Sequence, residues 1–501
     1  MAVAALALTR SSDPEPAPVA SGPALVDEAV PALEAYVRGA MRRADVPAVA
    51  VGIVAGDELV YARGFGTGAD GQEVDADTAF EIGSATKSFL GATLALLVDR
   101  GQLAWDDRVI DHDPGLRFAD PWVTREMRIA DLLAQRTGLA PYAADVLSLL
   151  GYDPEDSIAA FGRLPAQSSF RSEFAYQNVP HLVASRIVAD KVGARDWNEA
   201  VRDLLLDPLG MDASGTSAAV LTESDNATRG HQVLDGELRE VAPVSLPERV
   251  YGAGSIVSTV RDMSRWIRFQ LGRGRIDGRQ VLSREQHAAT WQPRVAVTGD
   301  FARRMEQVPG ATQLSYATGW FVHSVPEGRI VEHGGTTLGY TSAVRLDPDR
   351  DLGVVVLTNQ AHEGGIAIPI AKVAFDLLQG REPRDPLAER PAAPAAPAAP
   401  DADDEPDADT TALRAALAGT YRHPVAGRMR LVERDGALWT RLGPKRVRAR
   451  LDVAAEPPFA LTWHVDDQPD GPVMTAPVVP TRARGRVEAL AVADIVFTRV
   501  G

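Results

Sequence analysis

Phe80-Glu81-Ile82-Gly83-Ser84-Ala85-Thr86-Lys87 is the stretch on which the reading of this chain turns. Only four of its 52 basic residues are lysine, namely Lys87, Lys191, Lys372 and Lys445, and Lys87 alone has a serine three positions before it. Arginine keeps its proton in a protein, whereas a desolvated lysine can lose it. A helix is predicted over Ser84 to Arg100, with Leu90, Leu94, Leu97 and Val98 as an apolar stripe and Gly101 as terminator. If Ser84 opens that helix, its hydroxyl and the Lys87 amine share one face, one turn apart. The positive end of the helix dipole and burial then both lower the lysine pKa. A neutral amine can take the serine proton and so activate the hydroxyl as a nucleophile.

On the N-terminal side, Leu25 to Arg43 has helical spacing, with Leu25, Ala29, Leu33, Tyr36, Val37 and Ala40 on one side. Pro47 to Val54 and Glu58 to Ala62 read as strands joined at Ala55-Gly56-Asp57. Further helices are predicted near Ile129 to Ala134, Pro180 to Val192, Thr259 to Leu271 and Ile366 to Leu378. Two more strands, Thr341 to Leu346 and Leu352 to Leu357, flank the turn Asp347 to Asp351. Helices therefore lie between a hairpin at the front and strands at the back. One antiparallel sheet built from both ends, with helices packed on it, satisfies that order.

The chain of 501 residues is too long for one ordinary core, and its composition is globular, 45% apolar and 24% charged. The net charge of −16 argues against nucleic acid or an anionic membrane surface as a main partner. With no cysteine, disulfides, thiolate catalysis and Cys-ligated zinc are excluded. No apolar run reaches the roughly 18 residues of a membrane span. Residues 1–24 read as a disordered leader or the remnant of a signal sequence, and the balance tips toward export, with a cytoplasmic location as the alternative. Pro391 to Pro400 repeats Pro-Ala-Ala, and Asp401 to Thr410 carries six acidic residues in ten. Residues 381–412 are thus expected to be a stiff solvated linker between a hydrolase domain at 25–380 and a small all-β domain at 413–501. Asp435-Gly436 marks a hairpin in that last domain, between Met429–Glu433 and Ala437–Leu442. It shows no catalytic constellation of its own, so deletion of Pro391–Gly501 is expected to leave the chemistry largely present while changing substrate access or oligomerisation.

Two further motifs carry polar groups. Tyr176-Gln177-Asn178 precedes an apolar helix, so a phenol and an amide can face one cavity, the phenol as proton shuttle and the amide as holder of a substrate carbonyl. In His333-Gly334-Gly335-Thr336 the glycines let backbone approach a ligand closely, and the Thr336 N–H can join that of Ser84 as an oxyanion hole.

In this order, Ser84/Lys87, Tyr176/Asn178 and His333/Gly335 resemble the serine β-lactamase and penicillin-binding-protein superfamily, and within it the class C-like serine hydrolases. The stretches Val60 to Gly66, Leu132 to Leu139, Gly254 to Thr259 and Gly335 to Tyr340 look similar too, so the resemblance covers about residues 25–380. It implies an α+β fold, a β-lactamase/DD-peptidase-like antiparallel sheet flanked by helices with an α-rich subdomain. The tail looks like the small β accessory domain that many such hydrolases carry. By the resemblance, Ser84 is the nucleophile, Lys87 its activator, and Tyr176 the general base in acylation and acid toward the leaving group. Asn178, His333 and Gly335 line the pocket, and Ser84 and Thr336 give the oxyanion donors. No metal or organic cofactor is implied, the substrate is a small molecule or short peptide, and the oligomeric state is left open.

Two departures bear on substrate. Class C β-lactamases have lysine in the third motif where this chain has His333, which looks more like the D-amino-acid peptidases, DD-carboxypeptidases and esterases of the group. Gln135-Arg136 replaces the pair more usual before Thr137-Gly138-Leu139. The expected activity is acyl-enzyme hydrolysis of esters or small peptide amides. β-Lactam or DD-carboxypeptidase action, and a catalytically weak penicillin-binding or regulatory protein, are the alternatives. No Gly-x-Ser-x-Gly elbow and no His-Glu-x-x-His occurs, which removes the usual signatures of α/β-hydrolases and zinc hydrolases.

Overall fold

The computed structural model describes residues 23–234, 236–244, 246–305, 308–326, 328–361, 365–388, 408–483 and 486–500. The leader up to residue 22, the Pro-Ala repeat and most of the acidic run lie outside the described residues.

The strand Ala48–Ala55 pairs on one side with Glu58–Gly66 and on the other with Leu352–Thr358, in the register Val51↔Val356. The sheet then continues through Thr341–Asp347, Gly328–Thr336, Phe321–Val325, Gln313–Tyr316 and Val295–Ala296, every neighbour antiparallel. Both ends of the hydrolase region therefore meet in one eight-stranded sheet among the described residues. Alternation decides which face each side chain serves. Val49, Val51, Val354 and Val356 pack under the helices Pro23–Ala44 and Ala367–Leu378. Ala48, Ala50, Val355 and Leu357 face the other way, into a larger core with Phe89, Trp266 and Leu94. Residues 109–250 add an α-rich subdomain whose longest helix is Val179–Val192.

The helix Thr86–Asp99 runs through that larger core and is buried from Thr86 to Leu97. Phe89 stacks on Trp266 at 3.8 Å. The helix begins two residues later than predicted, because Gly83–Ala85 forms a 3-10 turn. Gly83 enters it at φ +52°, a conformation that a side chain would strain. A Cβ on Gly83 would sit 2.9 Å from the Thr336 nitrogen, and one on Gly335 would lie 1.9 Å from the Ile82 carbonyl. These two glycines let the serine turn close onto the end of the strand Gly328–Thr336.

The C-terminal strands, from Gly419–His423 to Ile495–Arg499, close into an eight-stranded antiparallel barrel. Alternation in the sequence indicated the strands; the pairing Tyr421↔Arg499 closes them. Asp435 and Gly436 turn the expected hairpin at φ +51° and +74°. The helix Ala408–Leu417 begins inside the stretch read as linker. Leu417 is fully buried and its carbonyl accepts from the Tyr421 hydroxyl at 2.7 Å, so packing on the barrel orders this acidic segment's end.

The barrel is bonded to the α-rich subdomain. Tyr152 Oη donates to the Ala426 carbonyl at 2.6 Å, Trp463 Nε1 to Leu149 at 3.2 Å, and the Val473 N–H to Gln232 Oε1 at 2.8 Å. Arg249 Nη1 meets Asp466 at 2.8 Å with both side chains buried, and Lys445 reaches the same carboxylate at 3.0 Å. Arg249→Ala leaves Asp466 with Lys445 as a partner and removes one hydrogen bond between charged groups, so it is expected to weaken barrel docking by about 1.5–3 kcal/mol, seen calorimetrically as a barrel transition split from that of the hydrolase region.

Candidate active site

Ser84 sits in the 3-10 turn and Lys87 in the first turn of the buried helix that follows. Lys87 has no exposed surface. Its Nζ donates to Ser84 Oγ at 2.9 Å and to the Ala253 carbonyl at 2.6 Å. Burial pushes its pKa down to about 7, and the neighbouring Asp145 carboxylate opposes that shift. Tyr176 completes the cluster: its ring centroid is 4.9 Å from Nζ, and Ser84 is near enough to its hydroxyl to oppose the upward shift of its pKa. Burial raises the Tyr176 pKa well above the usual phenol value, so the phenol keeps its proton.

The Tyr176–Asn178 segment is held from behind by Gln177. This fully buried side chain accepts from Thr137 Oγ1 at 2.7 Å and donates to the Leu139 carbonyl at 2.8 Å, while its backbone N–H donates to Gln135 Oε1 at 2.6 Å. Gln135 thus fixes the tyrosine loop, and Arg136 instead pairs with buried Asp131 at 2.7 Å. Asn178 is held by Asp145. Its Nδ2 donates to Asp145 Oδ2 at 2.5 Å, and its buried Oδ1 has no partner among the described residues. The amide therefore turns one N–H to Asp145 and keeps its second N–H and its acceptor oxygen.

His333 lies at the far side of the cavity, and both ring nitrogens are occupied. Nδ1 is 2.6 Å from the Gly334 carbonyl, an acceptor only, so Nδ1 carries the hydrogen and Nε2 accepts from Tyr316 Oη at 3.1 Å. Burial, with Lys87 nearby, pushes its pKa down to about 3. The imidazole is neutral. Ser84, Tyr176, Asn178, His333, Gly335 and Thr336 line one cavity of about 360 Å³. Lys87 sits in its floor beneath Ser84, so all seven residues expected from the sequence converge.

Reading the sequence missed several neighbours. Tyr142 and Phe301 wall the cavity beside Tyr176, with ring centroids 5.6 and 5.8 Å from it. Asp145 is half-buried with its Oδ1 enclosed, and this desolvation pushes its carboxyl up to about 7. Ala253 supplies a backbone acceptor, which any residue type could supply. His181 is buried one turn beyond Asn178, with neither ring nitrogen bonded among the described residues, and burial holds it well below the usual imidazole range. Only Tyr142 and Asp145 left any trace, as polar residues just past the Thr137-Gly138-Leu139 stretch. No cluster of three or more potential metal ligands occurs among the described residues.

The protein family described as Beta-lactamase matches residues 33–379. The unguisins hydrolase ungD' of Aspergillus campestris is 27% identical over 357 residues, covering 66% of this chain and 62% of that protein. Penicillin-binding protein 4 of Amycolatopsis lactamdurans is 30% identical over 348 residues, covering 67% of this chain and 85% of that protein. The chain thus spans under two thirds of ungD', and likewise 61% of the related ungD of Aspergillus violaceofuscus. The octameric penicillin-binding protein homologue from Pyrococcus abyssi shares the fold, with a TM-score of 0.61 at 21% identity over 94% of this chain and 100% of that one. With the Beta-lactamase family matched across most of its length, this chain belongs to that family.

Proposed function

We propose that the enzyme hydrolyses esters or small peptide amides, D-residues included, through an acyl-Ser84 intermediate. The observation that carries this reading is the placement of a fully buried Lys87 Nζ 2.9 Å from Ser84 Oγ and 4.9 Å from the Tyr176 ring centroid. Neutral Lys87 gives one N–H to Ala253 and, by rotating so that its lone pair rather than its second N–H faces Ser84 Oγ, can take the serine proton. As Ser84 Oγ bonds to the acyl carbon, its proton moves to Nζ. The Tyr176 phenol gives its own proton to the leaving oxygen or nitrogen and is refilled from the lysine. Water then attacks the ester carbonyl by the reverse relay and frees the acid. The Ser84 and Thr336 N–H groups face the developing oxyanion, and one such donor is worth about 2.7–4 kcal/mol of barrier. This assigns the base role to Lys87 rather than Tyr176, because burial favours the neutral amine and disfavours the phenolate.

His333 bears on the choice of substrate. Where penicillin-active class C enzymes are expected to hold an ammonium, this cavity holds a neutral imidazole with both nitrogens engaged. Arg345 and Lys372 line the same cavity, so a charged substrate group is not barred from it, and Tyr142, Tyr176 and Phe301 favour an apolar acyl group. The runner-up is β-lactam or DD-carboxypeptidase action, in view of the name of the Amycolatopsis relative. Among the described residues no helix is long and apolar enough to cross a membrane. Export is part of the proposal, and a fusion to a reporter active only outside the cytoplasm tests it.

Three outcomes are expected. Purified enzyme turns over p-nitrophenyl butyrate faster than D-Ala-p-nitroanilide, and both faster than nitrocefin; nitrocefin in first place would move the assignment to β-lactams. Ser84→Ala lowers kcat by about 10⁴-fold or more with unchanged circular dichroism, and a folded variant that keeps its activity refutes the mechanism. The pH profile of kcat/KM has an acid limb near the pKa of about 7 at Lys87. Below it the ammonium has no lone pair, so the rate falls as pH falls. Above it the rate levels off, since Tyr176 titrates far higher. The groups facing the amine that also bear on that limb are Asp145, His181, His333 and Tyr176.

A further inference from the structure

The turn Tyr142–Asp145 carries two residues in the left-handed region, Tyr142 at φ +58° and Ala144 at φ +63°. Neither is glycine, so the turn is strained and needs holding. Part of the hold is local to the site. The Tyr142 N–H donates to the Tyr176 carbonyl at 2.7 Å, and the Asp145 N–H closes back on the Tyr142 carbonyl at 3.0 Å. The Ala144 N–H, in a residue with no exposed surface, is held from elsewhere: its acceptor is Asp494 Oδ2 at 2.6 Å, more than 340 residues away in sequence.

Asp494 stands at the tip of the barrel hairpin between Arg486–Val492 and Ile495–Arg499. Val492 pairs with Ile495, leaving Ala493 and Asp494 as a two-residue turn. Ala493 is at φ +51°, and its N–H donates to the Pro477 carbonyl at 2.8 Å, which fixes the tip on the barrel wall. The barrel also reaches the other end of the short helix that the turn starts: Trp463 Nε1 donates to Leu149, the last residue of Asp145–Leu149. That segment is bonded to the barrel at both ends, and its first side chain is the Asp145 carboxylate that takes the Asn178 amide.

We propose that the barrel is a working part of the active site, in which Asp494 pins the strained Tyr142–Asp145 turn so that Asp145 orients Asn178 and Tyr142 walls the substrate cavity. The inference rests on the serine-hydrolase reading of that cavity. Asp494 and Asp145 are positioning residues: they act through the Ala144 backbone and through Asn178, and Asp494 is not among the residues lining the cavity. It departs from the expectation that the chemistry is largely present without the barrel, because a barrel that only docks beside the site would leave the turn's geometry to the hydrolase region alone.

The test uses the full chain and p-nitrophenyl butyrate as probe. Asp494→Ala is expected to lower kcat/KM about 10- to 100-fold, as misplacement of a site by about an ångström does, with unchanged circular dichroism and barrel melting. Asp494→Asn keeps an oxygen that accepts from the Ala144 N–H and is expected to stay within about threefold of the parent. Tyr152→Phe removes a barrel bond remote from the turn, to Ala426, and is expected to stay within about twofold. Hydrogen exchange at residues 142–149 should quicken in the alanine variant only. Parental kcat/KM in Asp494→Ala overturns the inference. So does an equal loss in all three variants, which would show that docking in general matters and not this contact. Should the alanine variant not fold, Asp494→Glu, which overshoots Ala144, takes its place with the same two outcomes. A parent enzyme that hydrolyses and acylates no probe defeats the serine-hydrolase reading, whereas an active parent indifferent to Asp494 defeats this inference alone.

Discussion

Burial of one amine organises this molecule. An ammonium without water is costly, so a lysine at zero exposure is driven toward its neutral form unless a counter-charge holds the proton. Here the opposing influence is Asp145, which is itself half-buried and so discouraged from ionising. Each carboxyl or amine would stabilise the other's charge, and the dry surroundings disfavour both charges. The dryness has an architectural source. The helix that carries Lys87 is the central helix of the larger core, packed on Trp266 and on the helix Val179–Val192. A reactive lysine at its head is thus desolvated by the same packing that stabilises the domain.

The backbone supplies the rest of the geometry. The serine turn and the end of the strand Gly328–Thr336 approach so closely that side chains at Gly83 and Gly335 would collide with backbone. Ser342 Oγ stitches the same junction by donating to the Ile82 carbonyl at 2.7 Å. This fixes where the Ser84 and Thr336 amides lie with respect to each other, and oxyanion donors depend on such fixed placement more than on side-chain identity. The third motif can therefore vary at its first residue while the glycine after next is constrained sterically. His333 uses that freedom. Engaged by Gly334 and Tyr316, it fills the corner without bringing a charge.

What was legible in the sequence follows from which interactions are local. Ser84 and Lys87 lie one turn apart, Tyr176 and Asn178 two residues apart, and His333 to Thr336 in one run, so each group declares itself by spacing. The two-ended sheet was legible from the apolar, β-branched runs at 47–54 and 352–357, whose alternation serves two buried faces. Ala253 was not, because it contributes only a carbonyl. Phe301 was not, because an aromatic in a short helix looks the same whether it walls a cavity or fills a core. Closure of the barrel was not, since alternation gives strands but not the partner of the last one. The direction of the Asn178 amide depends on Asp145, 33 residues away, and no local pattern encodes it.

The same distinction bears on how the two folded parts of this chain relate. Nothing in the barrel's own sequence marks it as catalytic, and its core residues Leu438, Leu451, Phe459 and Phe497 belong to one apolar cluster with Leu147, Leu150 and Tyr152 of the α-rich subdomain. Yet its contacts with the hydrolase region are buried and directional: a carboxylate to a backbone N–H, an indole to a helix C-terminus, a doubly engaged Asp466. Such contacts hold a surface in one register, which apolar packing alone does poorly, because a missing partner leaves a buried polar group unsatisfied. Three of these bonds fall on residues 144–152, the segment that leads out of the cavity wall, and Arg249 and Gln232 take others. A wall turn that is strained, and a barrel that bonds one residue of that turn directly, are better understood as one unit than as a domain with an appendage.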